Sequence, residues 1–348
     1  MRKIDAFPHI LPRAVLQRMS DVASGAAKHW LDGTWPLTGL FDMDVRFRAM
    51  DQLDDYVQVL TLATPPIEQV AAGRAGQDIA TLANDAMAEL CGRHPDRFAG
   101  FAAGLPMDDV DASMRELERA VNQLGALGVQ IFTNANGHAL DEQRFEPLWG
   151  KLAELDVAVW VHGARSFTLP EFEGDDESMF GLWLGLGWPY EMGLFMARLA
   201  LRGTFIRYPN LRILTHHGGG MIPTFGQRAG GAAISYTGPA HQHEQKIVDE
   251  LPQRPIDYLK MFYADTTISA SKRQVGDKVE RFGLDQLRAA VNFFGIDHVL
   301  FGSDMPFGQN QSGFLPLAAD FVDQLDLTPA QQELLFAGNA RRVLKVAR

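Results

Sequence analysis

Cysteine is almost missing: Cys91 is the one example in 348 residues. An internal disulfide is excluded, and a lone thiol reads as a small buried apolar residue. Long apolar runs are missing too. The most apolar stretch, residues 179–190, runs straight into Glu191 and is too short to span a bilayer. The first ten residues, MRKIDAFPHI, hold charges but no apolar core, so no secretory signal is expected and the chain reads as cytoplasmic. Basic excess is also lacking. Thirty-two Lys and Arg against 43 Asp and Glu give a net charge of -11. Nucleic acid and anionic membranes need a basic face and are therefore not expected partners. An anionic small substrate stays open, because a local field need not follow net charge. There is no internal repeat, no low-complexity tract and no Ser/Gly linker. No G-x-G-x-x-G follows the first strand, which argues against a dinucleotide site.

What the sequence does have is alternation. Short β-branched apolar runs recur at 3–7, 57–62, 98–103, 127–132, 157–162, 211–216, 261–265 and 298–303. Amphipathic stretches separate most of them. In 109–124, for example, Met114, Leu117, Val121 and Leu124 fall at three- and four-residue steps. Strand and helix in turn predict a parallel sheet with crossover helices. Eight strands predict closure into a (β/α)8 TIM barrel, with an open doubly wound sheet as the alternative. One domain over 1–348 is expected, with long loops at about 10–45 and 163–195. The second holds Phe167, Phe172, Phe180, Trp183, Trp188 and Tyr190, which suit core packing, a subunit interface or an aromatic lid.

Polar residues collect at the C-terminal ends of these strands. His9 follows strand one, His162 ends strand five, His216 and His217 end strand six, and Asp304 ends strand eight. A barrel would bring them to one mouth. Imidazoles with a carboxylate suit Zn²⁺, Mn²⁺ or Fe²⁺. Adjacent strand residues point to opposite faces. Of the two neighbouring histidines, His217 is expected to face the mouth, directly before Gly218, Gly219 and Gly220, and His216 to support it by hydrogen bonding. The pair His241-x-His243 lies in a polar stretch beside Glu244 and Lys246 and is a weaker metal candidate.

Eight segments carry a family resemblance: IDAFPHILP (4–12), HPDRFAGFAAGLPMDD (94–109), VWVHG (159–163), GWPYE (187–191), ILTHHGGGMIP (213–223), FYADT (262–266), FGSDMPF (301–307) and GNARRVL (338–344). With VRFRAMD (45–51), they resemble the amidohydrolase-related branch that includes aminocarboxymuconate-semialdehyde, γ-resorcylate and 5-carboxyvanillate decarboxylases. The resemblance implies an amidohydrolase-type TIM barrel holding one divalent metal, Zn or Mn before Fe. Carried over residue by residue, it implies His9, His162 and Asp304 as metal ligands and His217 with Asp304 as catalytic groups. Phe7, Arg165, Trp188 and Glu191 are the candidate substrate-binding residues. The chain departs from that family twice. Phe7 stands where the first strand normally supplies another ligand. The segment DGTWPLTGLFD (32–42) lacks the arginine expected for aminocarboxymuconate semialdehyde.

The function these features imply is non-oxidative decarboxylation of an aromatic or unsaturated hydroxy acid. The alternatives are metal-dependent hydrolysis of an amide or lactone, an Fe or Mn oxygen-activating hydroxylase, and a non-catalytic homologous subunit. The expected partners are a small carboxylate and further copies of the chain, or a homologue in a hetero-oligomer.

Overall fold

The computed structural model describes residues 1–235, 242–268, 271–275, 278–308 and 315–346. Eight parallel strands follow one another around the sheet in chain order: β1 Lys3–Asp5, β2 Tyr56–Leu62, β3 Phe98–Gly104, β4 Gly128–Phe132, β5 Ala158–His162, β6 Arg212–Thr215, β7 Tyr263–Asp265 and β8 Val299–Leu300. A short segment, His9–Ile10, extends β1 and pairs with the end of β2. The chain just beyond β8 brings the sheet round to β1. Ala6 N–H donates to Phe301 O at 2.8 Å, His9 N–H to Met305 O at 2.6 Å and Asp304 N–H to Phe7 O at 3.2 Å. The result is the expected (β/α)8 barrel.

Inward and outward residues alternate as a strand's two-residue period requires. Val57, Val59, Ala158, Trp160, Leu214 and Leu300 join the cluster that fills the barrel. Tyr56, Leu60, Val159, Val161 and Ile213 pack outward against the helices. Trp160 crosses the interior, and its indole N–H donates to Ala6 O at 2.7 Å. Gly128 is required for close packing: a Cβ there would collide with the Ala158 carbonyl. The helix Asn339–Leu344 closes the end opposite the candidate site. Asn339 Nδ2 donates to Ile296 O and Val299 O, and Arg212 Nε donates to Val343 O.

The helix expected near 109–124 runs over Val110–Leu124. The Asp109 carboxylate caps its start by accepting Ala112 N–H, and Gly125 ends it at φ +75°. The segment 10–45 corrects the expectation of a long loop. Much of it folds into helices Arg13–Val22 and Gly25–Thr34, whose Val15, Leu16, Met19, Ala27 and Leu31 are buried. Those residues sit at helical spacing in a stretch otherwise rich in polar residues, which hides the pattern. The 163–195 connection is irregular to about residue 181. A π-helical turn, Trp183–Gly187, then leads into the helix Trp188–Leu201. Cys91, expected to be buried, is half-buried. His243 lies exposed in the helix Gln242–Asp249, while His241 falls outside the described residues. Among the described residues no helix is long and apolar enough to cross a membrane.

Candidate metal centre and active site

The alternation that builds the barrel also selects its site. With Ala158 and Trp160 inward, His162 faces inward; with Leu214 inward, so does His216. The structure therefore corrects the choice within the histidine pair. His216 is the strand residue inside the barrel, fully buried. His217 reaches the site by another route, because the chain leaves the strand there and its backbone turns to φ +54°. Asp304, two residues past Gly302 on the extension of β8, also sits at positive φ, +60°. Positive φ is costly for residues with a Cβ and is tolerated where surroundings over-determine the backbone, as they do at functional sites.

Two overlapping groups form the centre. Ligand atoms of His9, His162 and His216 lie within 4.8 Å of one another, as do those of His216, His217 and Asp304. His9 Nε2 stands 3.2 Å and His216 Nε2 3.5 Å from Asp304 Oδ1. Each of the three strand imidazoles is anchored through its other nitrogen. His9 Nδ1 meets Thr61 Oγ1 at 3.2 Å, His162 Nδ1 bonds Gly163 O at 2.8 Å, and His216 Nδ1 bonds the buried Asp265 carboxylate. Asp265 also accepts N–H bonds from Gly218 and Thr267 at 3.1 and 3.2 Å. Histidines that ligate metals are held in this manner, with the outer nitrogen fixed to a carboxylate, carbonyl or hydroxyl. Meanwhile His9 Nε2 and His216 Nε2 are buried and, apart from their closeness to Asp304 Oδ1, have no hydrogen-bond partner. Buried unpaired nitrogens are expensive, and a divalent cation would satisfy both. The donor set fits such an ion.

Phe7 lies beside His9, as the sequence pattern predicts. Its ring is fully buried, stacks on His216 at 3.8 Å between centroids, and meets His9 at 5.7 Å edge-on. An apolar ring thus occupies the position that the resemblance assigns to a further ligand.

The protein's own charges leave the cluster sharply divided. Burial lowers the His9 pKa, partly offset by Asp304. Burial and the charge of His216 push His162 well down and His217 to about 4. For His216 burial acts downward, but Asp265 and Asp304 prevail and raise it to about 9. Burial works to raise Asp304, yet His216 and His9 hold it far below the usual carboxylate range. Asp304 is thus an anion placed among imidazoles.

Trp188 covers the cluster. Its ring lies 4.8 Å from His162 and is stacked 6.1 Å from His217, and its indole N–H donates to Arg165 O. Trp183 and Trp30 pack edge-on outside it. Gly163 permits this approach, since a Cβ there would lie 2.6 Å from Trp188 Cβ. Arg165 turns toward Glu191, at 3.9 Å, and neither bonds to the metal cluster. Sequence reasoning missed Asp265 and Thr61. Asp265 stood within the FYADT segment, and its place at the end of β7, level with the other strand ends, was the available signal.

The comparisons with known proteins agree with this geometry. The amidohydrolase family model matches residues 7–346. This chain belongs to the amidohydrolase family. A γ-resorcylate decarboxylase from Polaromonas sp. is 29% identical over 329 residues, covering 91% of this chain and 92% of its own. A 2-amino-3-carboxymuconate-6-semialdehyde decarboxylase from Dictyostelium discoideum is 27% identical over 360 residues, covering 98% and 91%. A crystal structure of a dihydroxybenzoic acid decarboxylase from Polaromonas sp., with bound manganese and the inhibitor 2-nitroresorcinol, superposes with a TM-score of 0.75. It is 26% identical and covers 100% of this chain and 98% of its own.

Proposed function

We propose that this member of the family is a metal-dependent carboxy-lyase that removes CO2 without oxidation from an aromatic or unsaturated hydroxy acid. The observation that carries the reading is the buried cluster of His9, His162, His216 and Asp304, with two unpaired ring nitrogens. The decarboxylase relatives named above supply the reaction class. Manganese is the first candidate ion, given the relative that binds it; zinc is the second.

His9, His162 and Asp304 are assigned to hold the ion, with His216 beside them as a further ligand. A divalent cation there supplies positive charge for the substrate's carboxylate and neighbouring hydroxyl as negative charge develops on the carbon skeleton. The chain's own residues do the rest. A proton is added to the carbon that bears the carboxylate. The bond from that carbon to the carboxylate then breaks, its electron pair returns to the ring or double bond, and CO2 departs. Asp304 is assigned as the relay for this proton: as an anion between two imidazoles it first accepts a proton from the acidic hydroxyl or carboxyl that the substrate brings in, and then delivers it to the carbon. His217, stacked under Trp188, is the second acid/base group of the cluster. Trp188 and Phe7 wall the reacting centre with apolar surface, which excludes water and strengthens the electrostatic contacts inside. The cluster is buried, so substrate entry requires Trp188 to give way.

The test is a panel of ortho-hydroxybenzoates and unsaturated acids set beside amides and lactones. The proposal expects CO2 release from at least one acid and no hydrolysis. Hydrolysis without any CO2 release would overturn it.

A further inference from the structure

Asp5, the last residue of β1, is fully buried, and the chemistry assigned above does not use it. Four donors converge on its carboxylate. Oδ1 accepts Phe7 N–H at 3.2 Å and Ser303 N–H at 3.1 Å, and Oδ2 accepts the hydroxyls of Ser303 and Tyr56. Burial raises the pKa of the group to about 6 while these donors act to lower it, so it is an anion at neutral pH. An ionised carboxylate is an acceptor only, with about four sites, and these donors fill them.

The bonds bracket Asp304. Before it, Ser303 is fixed to Asp5 through both its N–H and its hydroxyl. After it, Met305 N–H donates to that same hydroxyl oxygen at 3.1 Å. Asp304 itself donates its N–H to Phe7 O at 3.2 Å, and His9 N–H donates to Met305 O at 2.6 Å. Asp304 holds φ +60°, a conformation that persists in a residue with a Cβ where its surroundings over-determine it. Asp5 supplies that constraint from the strand that also leads to His9. The same network reaches His9 from behind. Tyr56 Oη accepts Gln58 Nε2–H at 2.8 Å, Gln58 Oε1 accepts Arg46 Nε–H at 2.8 Å, and Arg46 donates to His9 O at 2.7 Å. One buried anion thus ties together the two segments whose side chains meet at His9 Nε2 and Asp304 Oδ1, 3.2 Å apart.

We propose that Asp5 is a positioning residue of the metal centre, acting through Ser303 to hold the Asp304 carboxylate where it and His9 can share one ion. The assignment deepens the decarboxylase reading and rests on it for the presence of that ion. Groups that orient metal ligands from outside contribute about 10–100-fold to metal affinity. A residue that only supports the fold would change stability and leave the affinity of the folded site as it was.

Ser303→Ala removes the hydroxyl that joins Asp5 to Met305 and keeps the backbone bond to Asp5. Asn339→Ala is the control: Asn339 is equally buried and gives up two hydrogen bonds, but at the opposite end of the barrel. Manganese dissociation constants are measured on the full chain by competition with a chelator of known affinity, beside urea midpoints and the manganese EPR lineshape. None of these needs a substrate. Ser303→Ala is expected to weaken manganese binding at least about tenfold and to alter the lineshape, which reports the symmetry of the donors around the ion. Asn339→Ala is expected to lower the urea midpoint and leave affinity and lineshape unchanged. Unchanged affinity in folded Ser303→Ala overturns the inference, and so does equal weakening in Asn339→Ala. Should Ser303→Ala fail to fold, Asp5→Asn takes its place and is read in the same way, since an amide offers a single acceptor oxygen to the four donors. A wild type that takes up no manganese overturns the metal reading and the inference together. Weakening as expected, with no CO2 released from any acid, overturns the decarboxylase reading and leaves the positioning role standing.

Discussion

Phe7 places an apolar ring where the donor set of the site has room for one more ligand, stacked on His216 and edge-on to His9. Phe7→His should therefore tighten metal binding by about tenfold or more, because the new imidazole starts inside the cluster. Competition with a chelator of known affinity checks this; unchanged affinity in a folded variant would mean the side chain is not aimed at the ion. Asp304→Asn keeps an oxygen but loses basicity, and should cut turnover at least about 100-fold, the scale of one acid/base group. Metal content and rate are to be measured on the same preparation. Glu68 gives a prediction about stability. Its folded pKa is raised to about 8 from 4.5, so the folded chain holds this proton over a range where the unfolded chain has lost it. Stability from this group is full below about 4.5 and is lost as pH rises through 8. Glu68→Gln should change the melting temperature little at pH 4 and raise it relative to wild type at pH 9. At this scale much of the site was legible in the sequence: His9, His162 and Asp304 were found as polar residues at strand ends. The histidine pair was misjudged because glycines after His217 drew attention from strand parity. Leu214 inward requires His216 inward, and only the positive φ at 217, which no sequence rule reveals, brings the second histidine back.

The strands hold the site in register, and their contacts set what each element tolerates. Gly163 lets the helix Trp188–Leu201 lie against the end of β5, with Trp188 Cα 3.0 Å from where a Cβ would sit. Gly163→Ala should push that helix outward and cost about 1–3 kcal/mol by overpacking. Urea unfolding measures the loss, and altered tryptophan fluorescence reports the displaced cover; an unchanged midpoint and spectrum would contradict the described packing. The strands themselves were readable because they are buried and apolar on both faces, as in parallel sheets generally: predicted 98–103 became Phe98–Gly104, and predicted 157–162 became Ala158–His162. Strand eight was read too long. After Leu300 its hydrogen bonds pass to the Asp5, Thr266 and Ser303 side chains and to the neighbouring backbone, so extended chain continues without a regular ladder. The helices after His9 were missed because they belong to a packed cover over the mouth, whose apolar partners, Leu62, Ile67 and Ile79, come from distant segments.

Across the whole molecule, the cluster joins residues from β1, β5, β6 and the chain beyond β8, which are far apart in sequence and meet only in the folded barrel. An ion bound there stabilises the folded chain alone, by about 2.7 kcal/mol at a hundredfold excess over its dissociation constant. The net charge of -11 does not oppose this, because the ion is held by local donors. The central claim is metal-dependent release of CO2, and one measurement addresses it directly. Protein stripped with a chelator and then reloaded with manganese is given the hydroxy-acid panel in D2O, and CO2 and product are followed together. The account predicts no release from the stripped protein and restored release after manganese. It also predicts one deuterium in the product, on the carbon that lost the carboxylate. Equal release with and without metal, or no release from the reloaded protein with any acid of the panel, would contradict it.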